Sequence, residues 1–194
     1  MGATIQQAKI VLREQVGERL RRVSAEERAA ASAQARALLT AQPLWQSAQS
    51  VLFFAPLPGE LDVWPLLAVA LGAGKKVALP RFERRTKTYT ACLIQNLETD
   101  VQVGHFGIRE PSAQCSCLAS GRVDLILVPG VAFDQQGHRL GRGKGYYDQL
   151  LTAIRGTRCG VAFDQQIAQA IPVERHDARM DYLLTPTRWV KLIP

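Results

Sequence analysis

Apolar positions along the chain follow two patterns, one with helical spacing and one of short continuous runs. From about Thr4 to Arg22, Leu12, Val16 and Leu20 recur every four residues and leave a long polar face, which predicts an amphipathic helix. Ser24-Ala25-Glu26-Glu27 has the form of a capping box. A second helix therefore opens there, runs through alanine-rich sequence to about Thr40, and is ended by Pro43. Val51 to Ala55 is an apolar run of the kind a buried parallel strand presents, and it leads into the turn Pro56-Leu57-Pro58-Gly59-Glu60. Asp62 is placed to cap a third helix with Leu66, Leu67, Ala70 and Leu71 on its apolar face and Gly72 or Gly74 as its stop. Further strands are predicted at Lys76 to Pro80, Tyr89 to Ile94, Leu125 to Val128, Arg158 to Phe163 and Tyr182 to Thr185. Between the last three, Tyr147, Leu150, Leu151 and Ile154 have helical spacing. The polar, weakly periodic segment Asp100 to Gly121 reads as a long loop, and such loops often carry function.

Buried strands alternating with helices predict an α/β fold, a mainly parallel sheet with helices on both faces. Ligands of such sheets bind beyond the carboxyl ends of the strands. Three segments lie there on this reading: Pro56 to Glu60, Pro129 to Asp148, and the stretch after Phe163. A chain of 194 residues, 47% hydrophobic and 21% charged, fits a single globular domain spanning 1–194 with a sizeable core. No apolar run approaches the roughly 20 residues that span a bilayer. Met1 to Arg22 has no apolar centre, so no secretory signal is expected and a cytoplasmic location is. Cys92, Cys115, Cys117 and Cys159 lack metal-site or redox spacing and are expected to be reduced thiols. His105, His138 and His176 are too dispersed to form a metal site together, and no Ser/His/Asp nucleophile set is visible. Val-Ala-Phe-Asp-Gln-Gln occurs at both 131–136 and 161–166, but the flanks differ, so this is no repeat array.

The densest chemistry lies in Arg139-Leu140-Gly141-Arg142-Gly143-Lys144-Gly145-Tyr146-Tyr147-Asp148, between a predicted strand and a predicted helix. Glycines allow close backbone approach, and a helix start offers free N–H groups and a positive dipole end, so this is a candidate polyanion loop. Arg142 and Lys144 add full charges. It is not a Walker A loop: His138 stands where that pattern needs glycine, and Gly145 where it needs a hydroxyl. Nor is it a dinucleotide fingerprint, since Tyr146 occupies the third glycine position. The formal net charge of +7 is spread over Arg19-Arg21-Arg22, Lys75-Lys76, Arg81-Arg84-Arg85-Lys87 and Arg139-Arg142-Lys144. That surface suits nucleic acid or small polyanions alike. Aromatics at 7% are sparse for a single-strand nucleic-acid groove.

Val128-Pro129-Gly130-Val131-Ala132-Phe133-Asp134, then Gly137, then Arg139 to Asp148 closely resembles the signature of the 5-formyltetrahydrofolate cyclo-ligase family, also called 5,10-methenyltetrahydrofolate synthetases. Weaker likenesses follow in order along nearly the whole chain: Lys9-x-x-x-Arg13, the turn ending at Glu60, Gly107-Ile108-Arg109-Glu110-Pro111, and His176-Asp177 with Asp181. The resemblance implies a three-layer α/β sandwich related to ribose-phosphate isomerase and CoA-transferase-like folds. It implies ATP-dependent cyclisation of 5-formyltetrahydrofolate to 5,10-methenyltetrahydrofolate, with ADP and phosphate released after an N5-formyl phosphate intermediate. It places ATP against Lys9, Arg13, Arg139, Gly141, Arg142, Gly143, Lys144, Gly145, Tyr146 and Tyr147, with Arg142 and Lys144 as the catalytic cations. Folate, including its polyglutamylated forms, falls to Phe54, Leu57, Glu60, Phe106 and Tyr146. Mg2+ is the implied cofactor, with Asp148, Asp177 and Asp181 as candidate ligands. A monomer that binds neither nucleic acid nor membrane is expected.

Two other readings stay open on the sequence. One is a different nucleotide- or sugar-phosphate-binding enzyme of the same fold, which would lack the folate pocket. The other is a basic RNA-binding protein, for which Asp148 and Asp177 would be unhelpful.

Overall fold

The structure, a computed structural model, describes residues 4–118, 121–174 and 177–192, with only the backbone of Phe106. Helix α1 (Ile5–Arg21) starts at Thr4, whose side chain accepts from the Gln7 N–H. Helix α2 (Ala25–Thr40) opens with the predicted capping box: Ser24 and Glu27 each bond the other's backbone N–H. There follow α3 (Pro43–Ser47), strand β1 (Ser50–Leu52), α4 (Pro65–Gly72), β2 (Lys76–Glu83) and β3 (Thr88–Ile94). Asp62 stands just ahead of α4 rather than at its cap. Its carboxylate accepts from the Trp64 N–H at 2.9 Å, and Pro65 begins the helix.

The segment predicted as a loop is more ordered than expected. It contains β4 (Val101–Val103), a 3-10 turn (His105–Gly107), β5 (Arg109–Pro111) and β6 (Cys117–Leu118). Their strands are two or three residues long, too short to show a period of two in sequence. Next come β7 (Gly121–Pro129), β8 (Ala132–Phe133), β9 (Arg139–Leu140), α5 (Tyr146–Ala153), β10 (Ile154–Val161), a second 3-10 turn (Asp164–Gln166), β11 (Tyr182–Leu184) and β12 (Trp189–Lys191).

Eight strands form the main sheet in the order β12-β11-β10-β7-β1-β2-β3-β6. The five central strands, β11, β10, β7, β1 and β2, run parallel, and the outer pairings are antiparallel. Successive residues of a strand point to opposite faces. Phe53, Leu125, Leu127 and Val161 pack under α2, α3 and α4, while Leu52, Ile126 and Val128 pack with Leu150 and Leu151 of α5. The result is the predicted three-layer α/β architecture. A third cluster fixes α1: Val16, fully buried, meets Ala132, Leu140, Ala168 and Ile171, with Leu12 and Leu20 beside it. Burying Val16 alone stabilises this seat by roughly 1.5–3 kcal/mol.

One expectation is corrected. Cys92 of β3 stands opposite Cys117 of β6 in the antiparallel register, and the two form a disulfide. Their sequence separation of 25 gave no sign of it; Cys115 and Cys159 are free thiols. The repeated hexapeptide also gains a meaning. Both copies lie at strand ends, and each aspartate anchors a turn. Asp134 holds the turn that follows it, accepting from the backbone of Gln136 and His138 and also of Ile171, while Asp164 accepts from the hydroxyls of Thr185 and Thr187, in the turn after β11.

Candidate active site

A cavity of about 690 Å³ opens where β1 and β7 end, its floor formed by Ala55, Leu57, Pro129 and Gly130. This is the carboxyl-end position expected of a parallel sheet. Helix α1 closes one side, and the 139–148 loop, folded by the β8–β9 hairpin, crosses the middle. Gly143 and Gly145 of that loop have φ of +92° and +68°, values a side chain rarely permits. Arg13 reaches across from α1, and its Nε donates to the Gly141 carbonyl at 2.9 Å. A Cβ at Gly143 would lie 3.5 Å from the Arg13 guanidinium, so the loop runs close beneath that helix.

Cations crowd one end. Lys9 is 6% exposed, and its Nζ donates to Glu174 Oε2 and Asp177 Oδ2, each at 2.9 Å. Burial would lower the Lys9 ammonium, but hydrogen bonds and charge from Asp177 and Glu174 outweigh it and hold the pKa above the ordinary lysine value. Arg139 is buried; its Nη2 donates to Asp148 Oδ1 at 2.6 Å, and its guanidinium lies 5.9 Å from the Tyr147 ring centroid. Its Nε has no hydrogen-bond partner among the described residues. Arg142 and Lys144 stand exposed on the loop and line the cavity.

The other end is aromatic and acidic. Phe82, Tyr89, Tyr146 and His105 pack ring against ring, with His105 stacked on Phe82 at 4.6 Å and Tyr89 edge-on to Tyr146 at 5.6 Å. Glu60 Oε2 accepts from the Leu57 N–H at 3.0 Å, which closes its own turn, and Oε1 pairs with Arg142 at 2.9 Å. Burial pushes the Tyr89 phenol up to about 12, with help from the nearby acidic groups Glu110 and Glu60. Tyr147 is pushed well above its ordinary value, mainly by burial. Both are neutral at physiological pH and serve as ring surfaces and hydrogen-bond donors.

Most of the residues picked out in the sequence therefore meet around one cavity. Lys9, Arg13, Leu57, Glu60, Asp177 and every candidate of the 139–148 loop line it. Two do not. Phe54, just past the end of β1, is 1% exposed: its ring is buried with Phe53 in the apolar cluster under α2–α4 rather than in the cavity. Asp181 is away from the cavity, and its carboxylate accepts from the Arg158 N–H at 2.7 Å between neighbouring strands. The Phe106 side chain and His176 lie outside the described residues. Sequence reasoning missed Tyr89, Ile108, Arg109, Glu110 and Glu174 as cavity residues. Gly107 to Pro111 was a readable signal for three of them, whereas nothing local marked Tyr89 or Glu174.

A sequence model of the 5-formyltetrahydrofolate cyclo-ligase family matches residues 5–186. The chain belongs to this family. Among its cyclo-ligase relatives is the mouse 5-formyltetrahydrofolate cyclo-ligase, 31% identical over 197 residues, which cover 93% of this chain and 95% of the relative. The Escherichia coli K12 cyclo-ligase is 29% identical over 177 residues, covering 89% and 97%. The solution structure of the Aquifex aeolicus 5,10-methenyltetrahydrofolate synthetase superposes with a TM-score of 0.82 at 34% identity, covering 95% of this chain and 92% of that one. A Mycoplasma pneumoniae methenyltetrahydrofolate synthetase shares the fold at a TM-score of 0.71 and 18% identity.

The donor set is compatible with the magnesium ion expected from the sequence. Asp148, Asp177 and Glu174 put hard carboxylate oxygens on the cation-rich end, where phosphate oxygens would complete a magnesium shell. Asp148 is paired with Arg139, and Glu174 and Asp177 with Lys9; no cluster of three ligating side chains occurs among the described residues. No helix there is long and apolar enough to cross a membrane.

Proposed function

We propose that the chain converts 5-formyltetrahydrofolate to 5,10-methenyltetrahydrofolate with ATP, releasing ADP and phosphate. The observation that carries this reading is a single cavity with cations at one end and an aromatic, acidic end at the other, in a chain that matches the cyclo-ligase family over 5–186. Phosphoryl transfer asks for charge neutralisation and in-line placement rather than covalent help from the protein. Lys9, Arg13, Arg139, Arg142 and Lys144 supply that charge together with the loop N–H groups of Gly141 to Gly145. The N5-formyl oxygen attacks the γ-phosphorus, ADP leaves, and an N5-formyl phosphate results. N10 then attacks the formyl carbon, loses its proton, and phosphate departs. Tyr146 and Leu57 give the ring system flat and apolar surfaces, and Glu60 accepts hydrogen bonds from its donor-rich edge.

Asp148 and Asp177 are the carboxylates that would hold Mg2+, whose chemistry is to neutralise phosphate charge. A basic rim also favours capture of polyglutamylated folate, itself a polyanion. The test is to mix protein, 5-formyltetrahydrofolate, ATP and Mg2+ and follow the near-ultraviolet absorbance of the methenyl product. Growth that needs both ATP and Mg2+ is expected; no growth with ATP still bound would rule the cyclisation out.

A further inference from the structure

One buried acid of the cavity has no part in the chemistry above. Glu110, on β5, is 4% exposed and lines the aromatic end. Its Oε2 accepts from the Phe82 N–H at 3.3 Å, and the His105 backbone also donates to the carboxyl. Its Oε1 is buried with no hydrogen-bond partner among the described residues. An unpaired buried oxygen weakens the fold, so its presence in a binding cavity points to a partner that arrives with a ligand. The surroundings are shaped to keep the group there. A Cβ at Gly104 would lie 2.4 Å from Oε2, so only glycine leaves room for this carboxyl. Tyr89 feels the charge of both Glu110 and Glu60, which places the two acids around one aromatic surface.

We propose that Glu110 is a further folate-binding residue, whose partnerless Oε1 accepts a hydrogen bond from the bicyclic ring beside the one that Glu60 accepts. This rests on the folate reading of the cavity. Such a ring carries adjacent N–H and amino groups, so two carboxyl groups around one aromatic surface can each accept from it. Burial raises the Glu110 carboxyl above its usual range, although the Phe82 and His105 N–H groups and the charges of His105 and Arg81 oppose this. The other charged or titratable groups around it are Tyr89 on β3 and Arg109 on its own strand, whose guanidinium lies 3.5 Å from the Trp64 ring centroid.

The test uses the full chain and measures folate Kd without ATP, and the KM of each substrate. Glu110→Gln keeps an acceptor oxygen and should hold folate affinity within about threefold, while Glu110→Leu should weaken it roughly tenfold or more, with ATP KM unchanged. The proposal is overturned if the Leu variant binds folate normally or if both KM values rise together. Should the Leu variant fail to fold, Gly104→Ala, which displaces the carboxyl without removing it, replaces it with the same expectation. A parent protein that binds folate but forms no methenyl product counts against the cyclisation, not against Glu110.

Discussion

At the residue scale, Lys9, Arg13, Arg139 and Arg142 are engaged with protein partners, whereas Lys144 makes no such ion pair among the described residues. Lys144 is exposed and has phosphate as its expected partner. Lys144→Ala should cost about 1.5–3 kcal/mol of transition-state stabilisation, the scale of a charge-assisted hydrogen bond, with the melting temperature unchanged. Steady-state kinetics against ATP check this, and an unaltered kcat/KM would remove Lys144 from the phosphate site. Glu60→Gln should weaken folate binding more than ATP binding, read by separate KM measurements; equal effects would count against its ring contact. The phenols offer a spectroscopic check. Of the four tyrosines, Tyr89 should ionise only near pH 12 and Tyr147 not before unfolding. An alkaline absorbance titration in which all four ionise near pH 10 would contradict the burial described.

At the element scale, glycine positions show how tightly the sheet is assembled. Gly156 sits at the irregularity where β10 meets β7, and a Cβ there would lie 2.3 Å from the Val123 carbonyl oxygen. Backbone cannot yield as a side-chain end can, so Gly156→Ala should destabilise the fold by about 1–3 kcal/mol, measured by denaturant unfolding. The helices were legible because their signals are local. The capping box at Ser24–Glu27 and the Leu12-Val16-Leu20 stripe each appear where the sequence puts them. The short strands β4, β5 and β6 were not legible, because elements of two or three residues are defined by their partners. The site followed the same rule. The 139–148 loop announced its chemistry in consecutive residues, while Glu174 is tied to the cavity by partners distant in sequence, among them Lys9, 165 residues away.

At the scale of the whole molecule, α1 is both a structural clasp and half of the phosphate end. Lys9 bridges α1 to the chain near Glu174 and Asp177, so Lys9→Met should cost about 3 kcal/mol, the scale of breaking a buried pair, and raise ATP KM as well. Because the Lys9 pKa is raised on folding, its contribution is complete below the ordinary lysine value of 10.5 and is lost as pH rises through the higher folded value. Glu110 shows the same sign in a lower pH range. Its raised pKa means the folded state keeps the proton longer, so stability falls as pH rises above the unfolded value of 4.5 and through the folded one. Glu110→Gln should remove that part of the pH dependence in thermal melts, and an unchanged profile would show the carboxyl to be solvated.

The sequence by itself determined the layers, the mainly parallel sheet, the glycine-rich loop and the family likeness, because hydrophobic period, caps and contiguous motifs are properties of neighbouring residues. Only the tertiary structure decided that Phe54 belongs to the core, that Asp181 stitches strands away from the cavity, and that Cys92 meets Cys117. The same holds for Tyr89 and Glu110, which share a wall with Glu60. These are set by strand register, which turns each side chain to one face or the other, and by contacts between segments that no local pattern connects.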